Sequence, residues 1–147
     1  MDIKYINSRE NLSGIYSVDA ISDFLFEHLQ EYGDPKSQII SCLDFAMGIN
    51  GGLGGFTVIA TDGDKIIGVV IVNKTGMGGY IPENILVYIA THNGYRGKGV
   101  GKALMLEAIK QSEGDIALHV EKDNPARFLY EKLGFTNPYL EMRLKKK

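Results

Sequence analysis

The apolar positions of this chain follow two periods, one near 3.6 and one near 2, and glycine or proline marks most of the places where they change. Ile21, Phe24, Leu25, His28 and Leu29 recur at i, i+3 and i+4, which predicts an amphipathic helix over residues 19–32. Gly33-Asp34-Pro35 stops it, because proline cannot continue a helix and glycine suits the position after its last turn. A second helix is predicted from Pro35 to Met47, with Ile39, Ile40, Leu43, Phe45 and Ala46 apolar. After the break Asn50-Gly51-Gly52-Leu53-Gly54-Gly55, Phe56 to Ala60 reads as a strand and Asp62-Gly63-Asp64-Lys65 as a hairpin turn. Ile66 to Val72 is nearly unbroken Ile and Val around Gly68, the pattern of a strand covered on both faces. A loop at Thr75-Gly76-Met77-Gly78-Gly79 precedes another apolar strand, Asn84 to Thr91.

In the remaining third, Val100, Leu104, Met105, Ala108 and Ile109 form one stripe of a helix from about Gly99 to Ser112, with Leu106 outside it. Gly114 ends that helix and Ile116 to Glu121 reads as a strand. Asn124-Pro125 is an N-cap followed by proline at the first helical position, and Gly134 follows the helix that this opens. Ile3 and Tyr5 suggest a short first strand, and Tyr139 to Leu144 a last one. The predicted order is β, α, α, β, β, β, α, β, α, β, an α/β chain. The strands ending near Thr91 and starting near Ile116 are joined through a helix, so they should be parallel.

With 147 residues, one domain over 1–147 is expected, long enough for one core without covalent staples. A net charge of −2 gives no general attraction to nucleic acid or to an anionic membrane, so neither is an expected partner. The first residues lack the apolar stretch of a signal peptide, and no window is apolar enough to span a membrane. The single Cys42 excludes an internal disulfide and suits a reducing compartment, so a cytoplasmic location is expected.

Candidate chemistry centres on Tyr95-Arg96-Gly97-Lys98-Gly99-Val100-Gly101-Lys102, at the entrance to a predicted helix. First-turn helix amides lack partners within the helix, and the macrodipole adds partial positive charge there, so a bare glycine loop at this place suits a phosphate or pyrophosphate. A Walker loop is excluded: Arg96 stands at its required glycine and Ala103 at its hydroxyl, leaving no residue to hold magnesium. A dinucleotide fingerprint is excluded by the glycine spacing and by the position late in the chain.

Arg96 to Gly101, read as Arg-x-x-Gly-x-Gly, resembles the coenzyme A pyrophosphate loop of the GNAT family of N-acetyltransferases. Asn124-Pro125-Ala126-Arg127-Phe128-Leu129-Tyr130-Glu131-Lys132-Leu133-Gly134-Phe135 resembles the closing helix of the same family. The resemblance implies a mixed, mostly antiparallel central sheet with one splayed parallel strand pair and helices on both faces. It also implies acetyl-CoA as co-substrate, no metal, and direct acetyl transfer to an amine of a small molecule or peptide. The pantetheine arm would enter the splay and pair with Ile89, Ala90 and Thr91. The amides of Gly97, Lys98, Gly99, Val100, Gly101 and Lys102 would hold the pyrophosphate, with charge from Arg96 and Lys98 and a contact at Asn124. A strand amide near Ile89 would stabilise the oxyanion, and Tyr130 matches the general acid that protonates the leaving sulfur.

Three readings of the base stay open. His119 lies five residues before Asn124, where some relatives carry a glutamate, although counting back from Tyr130 points to Leu118. Glu83 begins the preceding strand, two residues from the position, Ile85, that alignment through Arg96 indicates. Ordered water is the third. A non-catalytic acyl-CoA-binding module and a nucleotide-binding protein are the competing functions. The sequence is compatible with a homodimer without requiring one, and no carboxylate cluster along it announces a polycationic acceptor.

Overall fold

A computed structural model describes residues 1–146. Among them five strands form one sheet in the order β1-β2-β3-β4-β5: Asp2–Ile6, Gly55–Asp62, Lys65–Lys74, Asn84–Thr91 and Ile116–Leu118. The first four are antiparallel neighbours, and β4 and β5 are parallel. Helices α1 (Val18–Leu29) and α2 (Lys36–Ala46) cover one face; α3 (Val100–Gln111) and α4 (Arg127–Lys132) cover the other. The mixed sheet, its one parallel pair and the helices on both faces are as the sequence predicts. No helix among the described residues is long and apolar enough to cross a membrane.

Alternation along the central strands divides the core in two. Ile59, Val69 and Ile71 pack with Ile21, Leu25, Ile39 and Leu43 on the α1/α2 side. Val58, Val70 and Val72 pack with Val100, Leu104, Met105 and Ala108 on the α3 side. This is why β3 reads as continuous Ile and Val: both of its faces are buried. Gly68 lets α3 approach, since a Cβ there would lie 2.7 Å from both Val100 and Leu104 side-chain atoms.

Four boundaries differ from the sequence expectation. The last helix opens at Arg127 with Ala126 as its N-cap, two residues later than Asn124-Pro125 predicts. The first helix stops at Leu29, where Gln30 takes a positive φ of 55°, and Gly33 has an ordinary φ. The strand expected over Ile116–Glu121 is only Ile116–Leu118. Tyr139 to Leu144 forms no strand: Tyr139, Leu140, Met142 and Leu144 are 85–89% exposed. Its apolar alternation meets the local requirement for a strand, but a strand also needs a neighbour to complete its hydrogen bonds, and none lies alongside.

Candidate active site

β4 changes character halfway along. Its pairing with β5 covers only Asn84↔Ile116, Ile85↔Ala117 and Leu86↔Leu118. Val87 is then an extra residue, because Ile71 of β3 faces Tyr88 while Val72 faces Leu86. A bulge of this kind breaks the ladder, bends the strand and reverses which face each later side chain takes. Leu86 accordingly packs with the α3 cluster, whereas Tyr88 and Ala90 pack with α1 and α2. Past the bulge no strand among the described residues borders the outer edge of β4.

The hydrogen-bond phase fixes what that free edge offers. His92 N–H donates to Ile67 C=O at 2.8 Å, so the alternating ladder turns the main chains of Ala90 and Tyr88 toward β3 as well. The N–H and C=O groups of Ile89 and Thr91 therefore face the open side. Of the three residues expected to line the splay, Ile89 and Thr91 present main-chain groups to it, while Ala90 spends its own on β3.

The glycine loop follows directly. Gly97 (φ +76°) and Gly99 (φ +82°) occupy the left-handed region, which costs an L-residue about 1–2 kcal/mol, and a Cβ at either would meet open space. Gly99 is the N-cap of α3 and brings no capping side chain. Helix bonding resumes with Ala103 N–H to Gly99 C=O, leaving the amides of Val100, Gly101 and Lys102 without carbonyl partners among the described residues. Bare donors, outward-facing glycines and a helix start meet the requirements of an anion cradle. The Lys98 ammonium lies 5.3 Å above the Tyr95 ring, and Tyr95 donates to Asp62 at 2.6 Å. The Arg96 guanidinium instead donates to the His28 carbonyl at 3.4 Å.

Residues 54–137 match the acetyltransferase (GNAT) domain family. This chain belongs to the GNAT acetyltransferase family. Solved structures share its fold. A ribosomal-protein-alanine N-acetyltransferase from Brucella melitensis superposes with a TM-score of 0.65 at 19% identity, covering 99% of this chain and 100% of that one. A transcriptional regulator from Bacillus halodurans gives 0.68 at 18% identity, with the same coverages. An aminoglycoside acetyltransferase from an uncultured soil metagenomic sample gives 0.64 at 13%, covering 99% of this chain and 95% of that one.

In this GNAT chain Tyr130 projects from α4 into the α3-side cluster that also holds Leu86. It is 7% exposed, its ring lies 6.1 Å from that of Phe135, and desolvation pushes its hydroxyl pKa up to about 12. The phenol thus keeps its proton throughout the neutral range. Asn124 Oδ1 accepts from Ala126 N–H at 2.9 Å within the turn before α4; the N-cap of that helix is Ala126, without a side-chain cap, so Asn124 is not the cap the sequence predicts. His119 is exposed, one residue beyond the end of β5.

Glu83 lies elsewhere. It precedes the paired part of β4, and its Oε1 accepts from Asp115 N–H at 2.8 Å. That bond first, then bonds from its own amide and from Gly79, hold its carboxyl below the ordinary carboxylate pKa. Glu83 ties the start of β4 to the turn before β5, at the closed end of the strand pair. It also borders a surface recess of about 700 Å³, with Tyr5, Phe56, Lys74, Gln111 and Glu113. That recess is at the C-terminal end of α3. The twelve residues of α3 put it about 18 Å from the glycine loop. The free main-chain groups are at the other end.

Two features escaped sequence reasoning. His28 Nδ1 accepts from Asn93 N–H at 3.4 Å and its ring lies 4.4 Å from that of His92, joining α1 to the segment that enters the glycine loop. Burial lowers the His28 pKa. Tyr88 reaches Asp34 between α1 and α2. Their separations along the chain leave no local signal for either pairing.

Proposed function

We propose that this chain is an acetyl-CoA-dependent N-acetyltransferase that moves an acetyl group directly to a primary amine of a small molecule or peptide. One observation carries the reading: the β4/β5 pair separates after Leu86 and Leu118, and the bare amides of the glycine loop stand at its open end. Coenzyme A supplies the activated acetyl thioester and the anionic diphosphate by which it is recognised. Gly97 to Lys102 hold that diphosphate on main-chain N–H groups. Ile89 and Thr91 align the arm as a neighbouring strand would, and the Ile89 N–H meets the developing oxyanion. Tyr130, kept protonated by burial, donates to the departing sulfur. With Glu83 engaged at the closed end, water takes the amine proton, directly or through His119. The lone, half-buried Cys42, whose thiol is pushed up to about 12 by desolvation, fits a cytoplasmic enzyme.

The test is acetyl transfer across a panel of amines, read as released thiol, beside melting temperatures with coenzyme A and with ATP. A ligand that binds only the native state raises the melting temperature. Coenzyme A should do so without magnesium and ATP should not; the reverse order would sink the assignment. Coenzyme binding without turnover on any amine would instead favour an acyl-CoA-binding module.

A further inference from the structure

The bulge at Val87 sends Tyr88 to the α1/α2 side of the sheet, where its hydroxyl donates to Asp34 Oδ2 at 2.5 Å. Tyr88 is buried and Asp34 is exposed, so a rigid phenol orients a carboxylate that reaches solvent. Among the described residues Asp34 forms no ion pair, and Tyr88 alone donates to its carboxylate. Its Oδ1 lone pairs are free.

A second observation stands beside it. Asn73 lies on the same face of β3 as Ile71, the residue opposite Tyr88. Asn73 is 8% exposed; its Nδ2 lies 3.5 Å from both the carbonyl and the Sγ of Cys42, and its Oδ1 has no partner among the described residues. Buried polar atoms are normally bonded, so this oxygen is an acceptor lacking a donor. Desolvation chiefly raises the Cys42 thiol; its hydrogen bond with Asn73 lowers it, and the charge of Asp34 raises it further.

Two residues before Asp34, the Tyr32 hydroxyl is raised first by desolvation and then by the charges of Glu31, Asp123 and Glu121. The nearby Lys36 ammonium is already paired with Asp23.

We propose that Asp34, held by Tyr88, anchors a positively charged group of the acceptor, and that the preferred acceptors are diamines or polyamines. This rests on the transfer reading above. A nitrogen bound to the carboxylate is stabilised as ammonium and cannot attack, so the anchored amine is the one that does not react. The other, neutral amine forms the new bond to the acetyl carbon as the carbon–sulfur bond breaks. One amine proton leaves and the sulfur gains one, giving the amide and the free thiol.

Calorimetric titration of the coenzyme A-loaded protein tests this, using α,ω-diaminoalkanes of increasing length and n-alkylamines of equal length. At least one diamine should bind about tenfold or more tightly than its monoamine, as a charged hydrogen-bonded contact predicts. Asp34→Asn should erase that preference at an unchanged melting temperature, and Tyr88→Phe should reduce it. Equal binding of diamine and monoamine by the native protein, or a preference surviving in Asp34→Asn, would overturn the proposal. Binding is read without turnover. Diamine preference without acetyl transfer therefore sinks the transfer reading alone, and transfer without diamine preference sinks this inference alone.

Discussion

The two ends of β4 are built in opposite ways. At the start, side chains close the structure: Asn84 donates to Glu113 and Asp115 carbonyls at 2.8 and 3.2 Å, Glu83 accepts from Asp115, and three residues pair with β5. At the finish, the main chain is left bare at Ile89 and Thr91, and then at Gly97 to Lys102. One end uses up its hydrogen-bonding capacity on folding, and the other leaves it unused among the described residues. On the proposed reading, the coenzyme takes the place of the neighbour that β4 has lost.

If the ends are independent, variants at each should affect different measurements. Tyr130→Phe should have the largest effect, lowering kcat about a hundredfold or more with the coenzyme Kd unchanged. With the phenol held up to about 12, the native enzyme should show no alkaline loss of kcat from its titration near pH 10, where an ordinary tyrosine ionises. A normal kcat in Tyr130→Phe would remove the acid from the open end.

The double variant Gly97→Ala, Gly99→Ala should weaken coenzyme A at least about thirtyfold, because two left-handed residues each cost roughly 1–2 kcal/mol. Calorimetry reads this, and unchanged affinity would mean that the loop does not hold the diphosphate.

Asn84→Ala should act the other way, lowering stability by about 2 kcal/mol through two lost hydrogen bonds while leaving coenzyme affinity alone. Denaturant unfolding beside coenzyme titration checks the pair. A matching loss of affinity would show that the closed end supports the open one.

The smallest effect belongs to Glu83→Gln. A carboxylate with a lowered folded pKa contributes stability that is present above its unfolded pKa and lost as pH falls through the folded value. The native melting temperature should therefore decline more steeply than the variant's on acidification through that range, and coincident acid limbs would refute the assignment.

Legibility in the sequence followed how local each feature is. Asn84–Thr91 and the start of α3 could be read because an apolar run ends at a glycine loop whose residues need no distant partner. The helix that carries Tyr130 could be read because Pro125 and Gly134 bracket it in the sequence. The strand expected at Tyr139–Leu144 had the right alternation, but alternation supplies no neighbour. Glu83 looked like a base from its offset along β4, yet which end of a strand pair stays closed depends on β5, which begins 33 residues later. Tyr88 and Asp34 are 54 residues apart in the chain and meet only when α1 and α2 are packed on the sheet.

The sequence by itself determined most of the helices and strands, and where a bare glycine turn opens a helix, because period and glycine act over a few positions. Only the tertiary structure decided that the parallel pair parts after three residues, that an inserted Val87 reverses the faces of β4, and that Tyr88 meets Asp34. Those outcomes depend on register between segments distant in the chain, and register is fixed by packing both faces of the sheet at once.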